Sequence, residues 1–238
     1  KPMTVLILLV IISNAVEAIV GFGSTLLTLT LGTHFYSLEY LIAVLIPLNL
    51  ILSMGIVIKD RRSIQKGALF KSILPWAGMG SLIGMSIRMN PLISGPLLRV
   101  ILGSLVLMIA LHGMFSQLSK SSKRSPLWLL GGGLMQGVYG AGGPLTVIYV
   151  SSVIQEKYSF RSTLSALWIV LNIIITLGLI QTNSLNAHTL TTSVLLILPL
   201  LIGWALGEWV MKKVSQNYFK KIIYLLLFFS GAALIFKT

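Results

Sequence analysis

Two stretches interrupt long apolar runs with glycine: Glu17-Ala-Ile-Val-Gly21-Phe-Gly23-Ser24-Thr25 and Gln136-Gly-Val-Tyr-Gly140-Ala-Gly142-Gly143-Pro144, one near the start of each half. Glycine and proline in a lipid-buried helix free backbone groups that hydrocarbon cannot satisfy. Such a break is expected only where protein packs on it or where it lines a wet cavity. Two corresponding breaks are the sequence pattern of a secondary transporter's binding site. The surroundings agree. Of 238 residues, 55% are hydrophobic and 10% charged, where a soluble domain carries roughly 25% charged residues. Mean hydropathy is +0.93. The chain reads as an all-α, polytopic membrane protein.

Apolar segments fall at Met3–Gly32, Leu38–Ile58, Ala68–Ile87, Pro96–Phe115, Leu127–Val153, Leu164–Ile180, Leu190–Met211 and Ile222–Phe236. Most approach the ~20 residues that span a bilayer as a helix. The first run lacks the basic flank and small-residue cleavage site of a signal peptide. Placing Gly21 on Gly140 also places Gly23 on Gly142 and Glu17 on Gln136. With a small insertion, Asn49 meets Asn172, Gly80-x-x-x-Gly84 meets Gly203-x-x-x-Gly207, and Arg99 meets Lys220. The common order gives two membrane repeats, 1–118 and 127–238, joined by a basic loop at 119–126.

The basic residues bear on topology. If all eight segments cross, the two sides hold 10 and 8 Lys/Arg, almost no bias. If the first and fifth dip in and return, the loops Lys59–Lys71, Lys120–Arg124, Lys157–Arg161 and Met211–Lys221 share one side. That side then holds 14 against 4, as the positive-inside rule requires. Each half becomes one re-entrant hairpin plus three crossings, so consecutive halves are inverted. The arms Leu127–Tyr139 and Pro144–Val153 suit this, at ~20 and ~15 Å. Met3–Val20 would reach ~27 Å, nearly a full crossing, so the first segment either tilts strongly or spans.

The net charge of +13 follows from these loops and forms no patch interleaved with aromatics, which argues against nucleic acid. There is no cysteine, hence no thiolate metal site and no redox chemistry. His34, His112 and His188 have no ligand companions, so no metal or cofactor is expected. H-E-x-x-H, G-x-S-x-G and paired acids are missing, which argues against an enzyme.

Each break precedes a new helical arm, and Pro144 suits a first helical position. Free N–H groups and the positive dipole end make such starts anion sites. Two of them, aimed at the midplane from opposite sides, would frame one anion. The candidate binding residues are Gly21, Gly23, Ser24, Thr25, Asn49, Gly140, Gly142, Gly143, Thr146 and Asn172. The glycines could instead serve close helix packing, and the asparagines could glue helices together. Glu17, the one acid deep in an apolar run, either couples transport to protonation or fixes the hairpin. Gln136 at the matching place cannot titrate, which favours fixing. Glu208 is expected to pair with Lys212 one turn on. Arg88 and Arg99 read as interfacial anchors, Trp76, Trp128 and Trp209 as an interfacial belt, and Trp168 and Trp204 as packing. The two Gly-x-x-x-Gly ridges permit close packing within a protomer or in a homodimer.

The Gly-Phe-Gly of the first segment, the repeat Gly-Gly-Leu-Met-Gln-Gly-Val-Tyr-Gly-Ala-Gly-Gly-Pro and the four-plus-four layout resemble the sulfite exporter TauE/SafE family over nearly the whole chain. The resemblance implies a multi-pass permease of the bacterial inner membrane that moves sulfite or small organosulfonates outward. It marks Gly21, Gly23, Gly140, Gly142, Gly143 and Pro144 as motif positions. Ser24-Thr25 stands where the second half has Gly143-Pro144, a departure that bears on the symmetry of the site. The expected mechanism is alternating access in the lipid bilayer. A permease for another small anion such as a carboxylate, or an anion channel, fits the same residues.

Overall fold

The computed structural model describes residues 2–89, 104, 107, 125–216, 218, 219, 221–226 and 228. Pro96–Phe115 with Arg99 and His112, the loop Lys120–Arg124, Lys220 and the far part of Ile222–Phe236 lie outside them. Among the described residues every element is helical: α1 Pro2–Val20, α2 Ser24–Gly32, α3 Leu38–Asp60, α4 Leu74–Met89, α5 Leu127–Tyr139, α6 Gly143–Val153, α7 Lys157–Gln181, α8 Ala187–Leu195 and α9 Ile197–Lys213. A short turn at Lys66–Ala68 and a π-helical turn at Leu69–Ile73 lead into α4.

Three of these helices are long and apolar enough to cross a membrane: α1, α3 with the turn after it, and α7. The expected seventh segment is two helices, α8 and α9, bent by 41°. Pro199 supplies the reason, since it offers no N–H to Leu195 and its ring crowds that carbonyl. The sixth segment starts seven residues earlier than expected, at Lys157 rather than Leu164. The stretch read as a basic loop is its first turns.

α3 and α7 run antiparallel at the centre. Asp60 meets Arg161 at one end and Asn49 meets Asn172 midway. Small residues decide what packs against this pair. A side chain at Gly80 or Gly84 would strike the backbone of Leu130 and Leu134, and one at Gly133 or Gly137 would strike Ala77 and Ser81. α4 and α5 thus lie backbone to backbone and parallel. On the other side, Gly203 faces Ile11 and Ala15, and Gly207 faces Ala15 and Ala18, so α9 lies parallel to α1. Both Gly-x-x-x-Gly ridges are occupied within the protomer, the close approach small residues allow in lipid. α5 runs with α4, and α1 runs with α9. α9 runs toward the end where Glu208 meets Lys59 and Arg161, whereas α4 starts from that end, after Gln65 meets Thr163, and reaches Gly178 with Met85, so α1 and α5 reach the centre from opposite ends.

The turn into α7 is held by polar groups. Lys157 Nζ donates to Met211 O and Val214 O at 3.0 and 2.6 Å, tying it to the end of α9. The Glu156 carboxylate accepts from the amides of Tyr158 and Ser159 at 2.9 and 2.6 Å, capping the helix. Partial burial pushes this carboxyl up, but the two amides outweigh it and hold the group below the usual carboxylate range.

Two predictions follow from the packing and the cap. Gly133→Ala places a methyl on Ala77 backbone and lowers the melting temperature in detergent. Gly78→Ala on the same α4–α5 unit, where a methyl meets nothing within 4 Å, leaves it unchanged or higher. Glu156→Ala removes about 1 kcal/mol of stability near neutral pH. The cap of the unsubstituted chain acts fully above the ordinary glutamate pKa and is lost as pH falls through the lower folded-state value. The two melting curves therefore converge in acid.

Candidate functional site

The two breaks are built alike at their first residues. Gly21 and Gly140 sit in the left-handed region, at φ 82° and 67°, where only glycine is unstrained. Their amides donate back to Glu17 O and Gln136 O at 2.6 and 2.7 Å, closing α1 and α5. After the break each chain doubles back. Ser13 Oγ and Thr28 Oγ1 are 2.8 Å apart across the first pair of arms, and Gly132 lies against Thr146 across the second. The breaks differ at the next glycine, since Gly23 has φ 107° and Gly142 φ −77°.

Side chains of the arms then cap the helices that follow. Glu17 Oε2 accepts from Ser24 N at 2.8 Å, and Gln136 Oε1 accepts from Gly142 N at 2.7 Å. Between these caps runs a buried chain of amides. Gln136 Nε2 donates to Asn172 Oδ1 (2.9 Å), Asn172 Nδ2 to Asn49 Oδ1 (2.6 Å), and Asn49 Nδ2 to Glu17 Oε1 (2.7 Å). Asn49 Nδ2 also donates to Ser24 Oγ at 3.0 Å.

The chain fixes its own composition. A backbone donor points inward at each end, and every amide between accepts on one side and donates on the other. Two inward donors can be reconciled only if a single member accepts on both sides. That member is Glu17. Four amides would leave two donors face to face, and two carboxylates would leave two acceptors. Hence glutamate and glutamine occupy matching places.

Between the breaks lies a cavity lined by Glu17, Gly23, Thr25, Asn49, Gln136, Gly140 and Gly143, with Phe22, Pro144 and Trp168 as its apolar wall. Its ≈ 20 Å³ is room for about one water. The remaining candidates are adjacent but do not line it. Gly21 accepts from Trp168 Nε1 through its carbonyl at 2.7 Å. Ser24 and Gly142 give their amides to the caps. Thr146 Oγ1 donates to Gly142 O of its own helix at 3.0 Å, and Asn172 links the two halves of the amide chain. Trp168, expected as packing alone, reaches the cavity. Trp204 does pack, over Gly55.

Sequence reasoning missed Arg161. It is fully buried, and among the described residues only Glu17 shares that property with a charge. Its guanidinium donates to Ala18 O at 2.6 Å, to Glu208 Oε1 at 2.7 Å and to Asp60 Oδ2. Glu208 also accepts from Lys59, so the expected Glu208–Lys212 pair does not form. Lys212 lies on the same helix, but the stronger partners reach Glu208 from α3 and α7. The one linear signal was spacing: Arg161, Ser165, Trp168 and Asn172 recur at i, i+4, i+7 and i+11, a single helical face. His34 and His188 lie away from the cavity, the latter against Tyr40. No cluster of three or more metal-ligating side chains occurs among the described residues.

A family model described as Sulfite exporter TauE/SafE matches residues 6–234. No curated protein and no solved structure matches the chain.

The amide chain makes a reciprocal prediction. Glu17→Gln or Gln136→Glu alone leaves one buried junction unsatisfied and lowers stability by about 1–3 kcal/mol. Exchanging both residues together reverses the three side-chain bonds between the fixed backbone donors of Ser24 and Gly142 and regains most of the loss. Thermal unfolding of the two single variants and the exchange measures this. A double variant as unstable as the sum of the singles refutes the argument.

Proposed function

The chain belongs to the sulfite exporter TauE/SafE family, so it is a membrane transporter rather than an enzyme, and we propose that it exports sulfite or small organosulfonate anions across the bacterial inner membrane by alternating access. The observation carrying this reading is the meeting of two glycine-broken helix pairs, reached from opposite ends, around one small cavity. That geometry favours two inverted repeats, 1–118 and 127–238, each a re-entrant hairpin with three crossings, rocking about a fixed site. The α5 and α6 arms, of 13 and 11 residues, suit re-entrance best. α1 is long enough to cross and would enter tilted.

The two helix starts are unequal for an anion. The Glu17 carboxylate already occupies the positive end of α2, where it accepts from Ser24 N. The start of α6 is capped by a neutral amide, and the N–H groups of Gly143 and Leu145 have no partner within the helix. The substrate therefore sits toward α6, at Gly140, Gly143 and Pro144, with Asn49 and Asn172 beside it and Glu17 fixing the first hairpin. The cavity is too small for sulfite as it stands. Binding parts the breaks, and that opening begins the transport cycle.

Ligands that bind the folded protein raise its melting temperature by mass action. Sulfite and sulfoacetate are expected to do so, and Gly143→Leu and Asn172→Ala to abolish the effect. Reconstituted protein preloaded with sulfite then shows counterflow of labelled sulfite, which a channel does not. Stabilisation by acetate alone would discard the sulfur assignment, and flux without counterflow would discard alternating access.

A further inference from the structure

We propose that Arg161, with Ser165 one turn above it, is a second anion subsite on the path between the cavity and the basic face, held shut in this state by the carboxylates of Asp60 and Glu208. The proposal rests on the transport reading above and adds a station to it.

Its starting point is a charge in an unusual place. Arg161 sits inside the helical core with no exposed surface, on the helix that also carries Trp168 of the cavity wall and Asn172 of the amide chain. The four side chains Arg161, Ser165, Trp168 and Asn172 line one face over ~16 Å of α7. Gly21 separates Arg161 from the cavity. Its α-carbon packs on the Arg161 backbone, and its carbonyl takes the Trp168 indole N–H. The first break is thus the partition between the two sites.

Two polar atoms on this face lack partners. The Arg161 Nε–H and the Ser165 hydroxyl are both buried without a hydrogen bond. Buried polar atoms are nearly always bonded, and a guanidinium with donors to spare is suited to bind an oxyanion through two parallel N–H groups. The partners it does have come from separate elements. Asp60 ends α3, Glu208 belongs to α9, and Ala18 O ends α1. The carboxylates are anions already seated on the cation. An arriving sulfite or sulfonate competes with them for the same guanidinium, and each displacement loosens α3 or α9 from α7 and from the first break. Substrate binding at Arg161 and release of the partition are then one event.

Binding of sulfite, sulfoacetate, sulfate and acetate to the full chain in detergent, by calorimetry and thermal shift, tests this. Glu208→Gln and Asp60→Asn free the guanidinium. They are expected to tighten binding by about fivefold or more while lowering the melting temperature of the unliganded protein. A purely structural ion pair would lower the melting temperature and leave affinity unchanged. Glu39→Gln, an exposed site distant from Arg161, removes the same charge and controls for net charge. Because Arg161→Gln alone can unfold the protein, the decisive background is Arg161→Gln/Glu208→Gln, in which no charge is stranded against Glu208. The gain disappears there if Arg161 is the subsite, and persistence of the gain overturns the proposal. If the unsubstituted chain binds sulfite and Glu208→Gln does not tighten it, the subsite falls and the transport reading stands. If Glu208→Gln gains binding only for acetate or sulfate, the sulfite and sulfonate assignment falls and the subsite stands. If no anion acts on any of the proteins, both fall.

Discussion

A broken helix in an apolar environment leaves backbone donors that no solvent will satisfy, and this chain breaks two helices side by side. The answer is a single buried relay. Ser24 N–H and Gly142 N–H terminate it, Glu17 and Gln136 receive them, and Asn49 and Asn172 close the gap. Each link spans two elements, so the relay fixes α1, α3, α5 and α7 against one another at one level. Because inward-facing donors at both ends demand a single doubly accepting member, the site is chemically lopsided. One helix start is filled by the protein's own carboxylate. The other is capped by a neutral amide, from Gln136.

Around this core the glycine ridges set distances that no other residue type would permit. α4 from the first half lies on α5 of the second, and α9 from the second lies on α1 of the first. The breaks are thereby clasped by helices from the opposite half, which keeps their tips opposed, and the tips themselves are buried. The charged cluster at Arg161 lies at the one end where α3, α7, α9 and the tip of α1 converge.

Much of the central site was legible in the sequence because it consists of residues that are anomalous one at a time. Gly21 and Gly140 are glycines where a left-handed backbone needs them. Glu17, Gln136, Asn49 and Asn172 are strongly polar groups in runs that are otherwise mostly apolar. Pairing them by order along the chain put Asn49 beside Asn172, which the structure bonds together, whereas the matched Glu17 and Gln136 bond to Asn49 and Asn172 and not to each other. The unequal φ of Gly23 and Gly142 was foreshadowed by Ser24-Thr25 standing where the second half has Gly143-Pro144. Arg161 was illegible for the opposite reason. A basic residue just before an apolar run looks like a loop, and nothing linear brings Asp60, Glu208 and Ala18 O to it from three other helices. The bend at Leu196 was readable from Pro199 but concealed by the apolar run on both sides. The partners of Glu208 were hidden by Lys212, a local candidate that a distant pair outcompetes.

The exchange of clasping helices also bears on how the molecule is made. A membrane protein enters the bilayer from its N-terminus onward, yet the small-residue face of α4 has no mate until α5 has been synthesised, and α1 has none until α9 follows. The first half therefore cannot mature as an independent module. Its ridges stay open to lipid until the second half arrives, and the relay that seals both breaks can close only after α7 is in place. Biogenesis is committed late, and a chain truncated after α4 is left with a half-built interior rather than half a transporter.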